Sequence, residues 1–318
     1  MPKRDSMAHT LKNTNKKTLL LGHIAALFVV TMWGYSFVSS RVLLDNGLGA
    51  VQIYVLRFIL AYIIMIFLSH SRLLSRNMRD EMLFFLCGLL AGSVYFIAEN
   101  TALEYTLTTN VSLLTSLSPL ITAILVSIIY KNEKLGKGTW IGSLIAVVGV
   151  ACVVFNSSMN LEVRPLGDLL SIAAAFSWAV YSILLRQLNA NYDVWFISRK
   201  TFFYGLVTAI PFLLFENHDC DLADTLVRPA VWGNLLFLGV GASTIAYVLW
   251  AYSVKVLGAV QANNYMYFQS IVTLIVSAVL LGEAITIVGT TGILLILGGL
   301  WLGDKLNERW NKSLSSHH

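Results

Sequence analysis

Charged residues are scarce in this sequence. Lysine, arginine, aspartate and glutamate make up 12% of the 318 residues, whereas a water-soluble protein of this length carries about 25%. Hydrophobic residues make up 57% of the chain. The low charge content excludes an ordinary soluble domain and indicates that lipid surrounds most of the chain.

Motifs for metal, disulfide, nucleotide and hydrolytic chemistry are missing as well. The three cysteines lie far apart, and Cys87 and Cys152 lie within apolar runs, so their spacing builds neither a disulfide framework nor a metal site. No G-x-x-x-x-G-K-[ST] run is present, so no ATP site is predicted. His23 is the one histidine within an apolar segment, and no aspartate lies mid-segment. The sequence therefore predicts no cofactor, no metal and no enzyme, and it disfavours an intramembrane enzyme in particular.

Ten apolar segments have about the length, roughly 20 residues, that crosses a bilayer as a helix. The connections between them are mostly too short for a soluble domain. We therefore predict an all-α polytopic membrane protein with ten transmembrane helices. The segments are 19–40, 50–68, 82–103, 109–130, 138–155, 167–188, 194–215, 230–253, 259–281 and 286–303.

The basic residues predict the orientation of these segments. One alternate set of connections holds sixteen lysines and arginines, and the opposite set holds Arg41, Arg164 and Arg228 alone. By the positive-inside rule, both termini are expected in the cytoplasm, with the protein in the cell (inner) membrane. Because the basic residues sit in short connections, no nucleic-acid partner is predicted.

Part of the sequence occurs twice, 150 positions apart. Each copy has an apolar run, a turn that contains a glutamate, and a second apolar run with two glycines seven residues apart. The matching positions are Ile121, Val126, Ser127, Glu133, Gly142, Leu144 and Gly149, with Ile271, Val276, Ser277, Glu283, Gly292, Leu294 and Gly299. A duplicated membrane unit of this kind is typical of transporters.

The first span has an echo as well, because Trp33 and Arg41 recur 145 positions later as Trp178 and Arg186. Five spans is an odd number, so the second half must lie inverted relative to the first. Inverted repeats place the substrate site at the membrane midplane between the halves. The predicted organisation is a cytoplasmic N-terminal tail (1–18), a first five-helix repeat (19–155), an outer connection (156–166), a second five-helix repeat (167–303) and a cytoplasmic C-terminal tail (304–318).

The order of these features over residues 19–303 resembles the drug/metabolite transporter superfamily, specifically its ten-helix EamA-type transporters. Gln269 departs from the pattern, since it stands where the first half has Pro119. The resemblance implies secondary transport, commonly export, of amino acids, other metabolites or drugs. The residues that carry it are Trp33-Gly34 with Phe37, Ser118-Pro119, Glu133 with Gly142 and Gly149, Gly167-Asp168, Trp178, and Glu283 with Gly292 and Gly299.

Several polar and aromatic residues within the spans are candidates to line a substrate cavity, and helix packing is the alternative for each. Trp33 and Trp178 lie away from the headgroup boundary, where the aromatic belt would explain a tryptophan. Small polar residues at helical spacing mark the fourth and ninth spans, a pattern that also serves helix packing in membranes. The predicted binding residues are Trp33, Ser36, Asn100, Ser116, Trp178, Tyr181, Asn263, Tyr267 and Gln269.

A few charged residues lie inside the predicted spans or at their ends. Glu99 is the acid farthest inside a span and is the candidate for proton coupling, with an interfacial position as the alternative. Arg57 and Arg199 lie about two turns inside their spans, where a structural role and a gating or anion-binding role both remain open. A role in fixing turns and capping helices is predicted for Glu133, Asp168 and Glu283.

The predicted function is a secondary transporter that exports a small organic metabolite, an amino acid or a drug among the options, by alternating access around a midplane cavity. A passive channel or facilitator is the main alternative. The expected partners are the small-molecule substrate and the lipid bilayer, and the oligomeric state stays open, a homodimer included.

Overall fold

The computed structural model describes residues 16–69, 73–130, 136–156, 165–216, 222–285 and 287–315, and the regular secondary structure of these residues is helical throughout. A short helix, Leu222–Val227, lies in the connection that precedes α8. The main helices are α1 (Lys16–Asp45), α2 (Ala50–Leu68), α3 (Met78–Tyr105), α4 (Thr108–Ile129), α5 (Lys137–Asn156), α6 (Pro165–Leu188), α7 (Val194–Phe215), α8 (Pro229–Leu257), α9 (in two parts, Ala259–Asn264 and Met266–Leu280) and α10 (Ile287–Ser315).

Six of the described helices, α1, α2, α3, α4, α6 and α8, are long and apolar enough to cross a membrane. Large hydrophobic side chains such as Phe28, Phe67 and Phe215 point outward from the bundle, which is the arrangement expected of a surface that faces lipid. The chain is therefore a polytopic helical membrane protein. Helix α10 continues past the predicted apolar segment, which ends at 303, to Ser315.

The chain reverses direction where local chemistry requires it. Gly47, between α1 and α2, and Gly258, between α8 and α9, have φ values of 95° and 84°, a conformation that costs glycine little. Pro165 and Pro229 occupy the first positions of α6 and α8, where the missing N–H is not needed. The two glycines thus allow short connections, and the two prolines begin the helices that follow them.

The third helix of each half contains a π-helical segment. It spans Leu89–Val94 in α3 and Phe237–Ile245 in α8. Single π-helical turns inside α-helices are rare and occur frequently at functional sites. Both segments lie next to the cavity described below, so the two halves share this irregularity at their centre.

Helices α5 and α10 pack closely along facing glycines. A Cβ atom on Gly142 would lie 2.6 Å from the carbonyl oxygen of Gly299, and one on Gly149 would lie 2.6 Å from that of Gly292. Small residues at a helix seam let two backbones approach and gain van der Waals contact, which drives helix association in membranes. The duplicated glycine spacing in the sequence therefore corresponds to one helix pair that joins the two halves.

This seam makes a prediction with a matched control one residue away. Gly299→Ala would place its Cβ 2.7 Å from the Gly142 carbonyl oxygen, whereas a Cβ on Gly298 meets nothing within 4 Å. We expect Gly299→Ala to lower the free energy of unfolding by about 1–3 kcal/mol and Gly298→Ala to leave it nearly unchanged. Thermal unfolding of the purified variants in detergent measures both. Equal stability of the two variants would contradict the seam.

Candidate functional site

A small closed cavity lies at the centre of the bundle. Its free volume is about 10 Å³, about the space that one water molecule needs. Two helices of the first half, α1 and α3, and two of the second, α6 and α8, supply its walls. The lining residues are Trp33, Ser36, Phe37, Tyr95, Phe96, Glu99, Trp178 and Tyr247.

Trp33 and Trp178, the matched tryptophans of the two halves, meet at this cavity. Their ring centroids are 4.9 Å apart and their planes are nearly perpendicular, at 84°. Trp250 lies 5.0 Å from Trp33, and Tyr95 and Tyr181 each pack about as closely against Trp178. Edge-to-face contacts of this kind stabilise aromatic clusters beyond their buried area. The cavity therefore has aromatic walls with few polar atoms.

The π-helical segments supply backbone acceptors to the site, and in each case the donor belongs to the other half. The Trp33 Nε1–H donates to the carbonyl oxygen of Ala242 at 2.8 Å. The Tyr247 hydroxyl donates to that of Ala91 at 2.6 Å, and the Ser177 hydroxyl donates to that of Leu90 at 2.7 Å. A carbonyl oxygen has two lone pairs, so it can accept a side-chain donor as well as a helical bond. These three bonds join the halves at the cavity.

Two opposite charges are buried beside the aromatic rings. Glu99 is 2% exposed, lines the cavity, and its carboxylate accepts a hydrogen bond from the Tyr95 hydroxyl. Arg57 is fully buried, its Nε–H donates to the Ser243 hydroxyl at 3.0 Å, and its guanidinium lies 4.3 Å from the centre of the Phe96 ring. The charges of Arg57 and Glu99 attract each other, so the site has both signs of charge within reach.

Four of the predicted binding residues lie at the cavity: Trp33, Ser36 and Trp178 line it, and Tyr181 packs against Trp178. Asn100 is one residue from Glu99 but points away, with its side-chain amide donating to the Ala50 carbonyl oxygen at 3.0 Å. The cavity thus contains the aromatic part of the predicted set.

The remaining predicted residues, Ser116, Asn263, Tyr267 and Gln269, are buried residues of α4 and α9. The Ser116 and Ser270 hydroxyls are 2.5 Å apart, and the Ser112 hydroxyl donates to that of Thr273 at 2.9 Å. Tyr267 is buried against Leu113, Ala146 and Ile296. Asn263 and Gln269 are fully buried on α9 as well. Ser116 therefore takes part in the contact between α4 and α9, and none of the four residues lines the cavity.

Carboxylates close the bundle at the ends of its helices. Glu283 accepts hydrogen bonds from the backbone N–H groups of Thr108 and Thr109, so it caps α4 and not the helix that follows it. Glu216, after α7, does the same for Val51 and Gln52 at the start of α2. Anions are favoured at helix N-termini, and both contacts join the first half to the second.

Of the other predicted caps, Asp168 lies in the first turn of α6 instead of at its N-cap, because the helix begins three residues earlier at Pro165. A carboxylate is still favoured there by the helix dipole. Glu133 lies outside the described residues.

A different set of contacts closes the opposite ends of the helices. The Glu81 carboxylate forms an ion pair with Lys200 and accepts a hydrogen bond from the Tyr204 hydroxyl. The Tyr192 hydroxyl donates to Asp80 at 2.7 Å. These contacts again join α3 of the first half to the second half, so the two halves are in contact at both ends of the bundle.

Some residues at the site were not predicted, among them Tyr95, Phe96, Tyr247 and Trp250. One signal was present: Tyr247 and Trp250 stand 151 positions after Phe96 and Glu99, an offset within one residue of the main repeat. Extending the repeat through α3 and α8 would have paired these positions around the cavity, as Trp33 and Trp178 are paired.

Comparison with known proteins agrees with this architecture. The EamA-like transporter family matches twice, over residues 20–155 and 165–302. The chain belongs to the EamA-like transporter family. This confirms the resemblance that the sequence motifs carried, and it makes the chain a transporter of small solutes and not an enzyme.

Two relatives and one solved structure cover nearly the whole chain. An uncharacterized transporter of Bacillus subtilis, YdfC, is 26% identical over 310 residues, which are 95% of this chain and 96% of the relative. A probable amino-acid metabolite efflux pump of Escherichia coli is 24% identical over 297 residues, 92% of this chain and 97% of the relative. A crystal structure with 19% sequence identity covers 93% of this chain and 99% of its own, with a TM-score of 0.68, which supports the fold.

Proposed function

We propose that this EamA-like transporter exports a small organic metabolite by alternating access, with the substrate bound between two inverted five-helix halves. The main observation in support is that one cavity is surrounded by α1 and α3 of the first half and α6 and α8 of the second. These are the first and third helices of each half. A site at the interface between repeats is typical of secondary transporters, and the E. coli relative is named as an amino-acid metabolite efflux pump.

The walls of the cavity support an amphipathic substrate. Trp33, Trp178 and Tyr247 offer apolar area, while Ser36 and Glu99 offer polar contacts. Binding sites are commonly built in this way, from apolar walls and a few polar groups that fix orientation. In the proposed cycle, the cavity, which has space for about one water molecule, widens to admit the substrate. Ser116, Asn263 and Gln269 then reach the substrate from α4 and α9, and Asn100 reaches it from α3 after leaving the Ala50 carbonyl oxygen.

The contacts at the two ends of the bundle serve as the gates in this proposal. Glu216 and Glu283 hold one end closed, and the Glu81–Lys200 pair holds the other. Both sets join the two halves, so rocking of the halves would break one set while the other stays. Contacts on both sides of the cavity favour a carrier over a continuous pore, which needs no alternating closure.

Metabolite profiling tests the function. We expect the medium of cells that overexpress the protein to be enriched in one or a few amphipathic metabolites relative to cells that lack it. Reconstituted in liposomes, the protein should transport those compounds with saturation, and substrate on the far side should accelerate the flux, since a carrier returns faster when loaded. Linear flux without trans-stimulation would favour the channel, and unchanged medium would contradict export.

The orientation of the chain is part of the proposal and rests on the sixteen-to-three distribution of basic residues. It places both termini, Leu74 and Glu81 in the cytoplasm, and Glu216 and Glu283 outside. A membrane-impermeant maleimide applied to intact cells should label the native Cys220, which lies between α7 and α8 in the sequence. Leu74→Cys in a Cys220→Ser background should react only after the cells are opened, since Leu74 is 73% exposed. The reverse pattern would overturn the orientation.

Glu99 is the proposed proton carrier. Its carboxylate is buried in the cavity wall, faces Tyr95 and Arg57, and lies in a span, where an ionisable group is a functional candidate. We expect Glu99→Gln to abolish transport driven by a pH gradient while exchange of substrate for substrate continues, because exchange needs no net proton movement. Liposome flux with and without an imposed gradient separates the two. Gradient-driven flux equal to that of the wild type would remove Glu99 from the coupling.

A further inference from the structure

Arg57 is a buried cation whose terminal donors are unused. Its side chain is 0% exposed, and the bond from Nε to Ser243 is its one hydrogen bond among the described residues. Nη1 and Nη2 are buried without a hydrogen-bond partner. Burying a charged donor without a hydrogen-bond partner costs free energy. A ligand that supplied an acceptor to these nitrogens would remove that cost.

The guanidinium borders the cavity through Phe96. The Phe96 ring lines the cavity and also carries the Arg57 guanidinium at 4.3 Å from its centre. Ser243, which fixes Nε, follows Ala242, the residue that accepts the Trp33 hydrogen bond. Phe96 therefore contacts both the guanidinium and the cavity that Trp33 and Trp178 line.

The Glu99 carboxylate does not accept hydrogen bonds from Nη1 and Nη2 of Arg57. Glu99 is the acidic residue whose charge acts on Arg57, yet no direct ion pair joins the two described side chains. The Glu99 carboxylate takes its hydrogen bond from Tyr95 instead. The two Nη groups of arginine form a fork that matches a carboxylate bidentately, with stronger bonds than neutral partners make.

We propose that Arg57 binds the carboxylate of the transported solute, whose apolar group packs against Trp33 and Trp178. The substrates are then small carboxylates with an apolar side group. This inference rests on the proposed export function and narrows its substrate class. The Phe96 ring turns aside as the carboxylate binds, and Ser243 holds the guanidinium in place.

The chain offers a matched control. Arg199 is also a buried arginine within a helix, is 5% exposed, and lies 5.3 Å from the centre of the Phe196 ring. Its Nη1 donates to the carbonyl oxygen of Ser69 at 2.6 Å, and it does not line the cavity. Removing Arg199 therefore removes a buried guanidinium of the same kind without touching the proposed site.

The test compares medium metabolites of cells that express the wild type, Arg57→Gln, Arg57→Lys and Arg199→Gln. Each signal is divided by the amount of folded protein, measured by fluorescence-detected size-exclusion chromatography. We expect the compounds enriched by the wild type to carry a carboxylate, and their enrichment to fall about 10- to 100-fold in Arg57→Gln, the range of a lost charge-assisted bond. Arg199→Gln should export them within about twofold of the wild type.

Arg57→Lys keeps the positive charge but loses the two Nη donors that bind a carboxylate bidentately. We therefore expect its enrichment of carboxylates to lie between those of the wild type and Arg57→Gln. If Arg57→Gln does not fold, the result with Arg57→Lys decides the test. Enrichment of compounds that lack a carboxylate would overturn the inference and leave the export function standing. So would equal export of carboxylates by wild type and both Arg57 variants. If no compound is enriched by the wild type, the proposed function itself fails.

Discussion

The centre of this protein depends on side chains of one half that donate hydrogen bonds to the π-helical segments of the other. Trp33 reaches the Ala242 carbonyl, and Tyr247 and Ser177 reach those of Ala91 and Leu90. A π-helical turn is less stable than α-helix, so these bonds help to stabilise an irregularity that would otherwise cost stability. In return, the irregular turns hold the indole and phenol rings at fixed positions around the cavity.

The buried charges fit the same environment. Burying the charge of Arg57 or Glu99 away from water has a desolvation cost, and in an apolar bundle only specific partners offset it. The structure provides a hydroxyl and an aromatic face for Arg57, and a tyrosine hydroxyl for Glu99. That compensation is incomplete, since two nitrogens of Arg57 have no partner among the described residues. Incomplete compensation in a transport protein is consistent with a site that a ligand completes.

The sequence predicted features that depend on period and duplication. The helices follow from apolar runs, and the duplication matched the glycines that the α5–α10 seam uses and the two tryptophans, Trp33 and Trp178, that meet at the cavity. It could not predict which side chain turns inward on a helix that is buried on several faces. Asn100 and Glu99 are neighbours with opposite orientations, and Glu283 caps a helix 175 residues away in the chain. Such contacts depend on tertiary packing, which leaves no local periodic signal.

The hydrogen bonds that join the two halves differ in whether water can replace them when the halves separate. Glu216, Glu283 and Glu81 lie at helix ends, where water can take over a broken hydrogen bond, so that separation costs about 0.5–1.5 kcal/mol for each neutral bond and somewhat more for each charged one. The bonds to Ala91 and Ala242 are buried at the centre, where no water would replace them and an unpaired group costs several times more. Under the proposed mechanism, the ends of the bundle therefore separate more readily than its middle. The two halves would pivot about the π-helical segments, so that the cavity opens to one side.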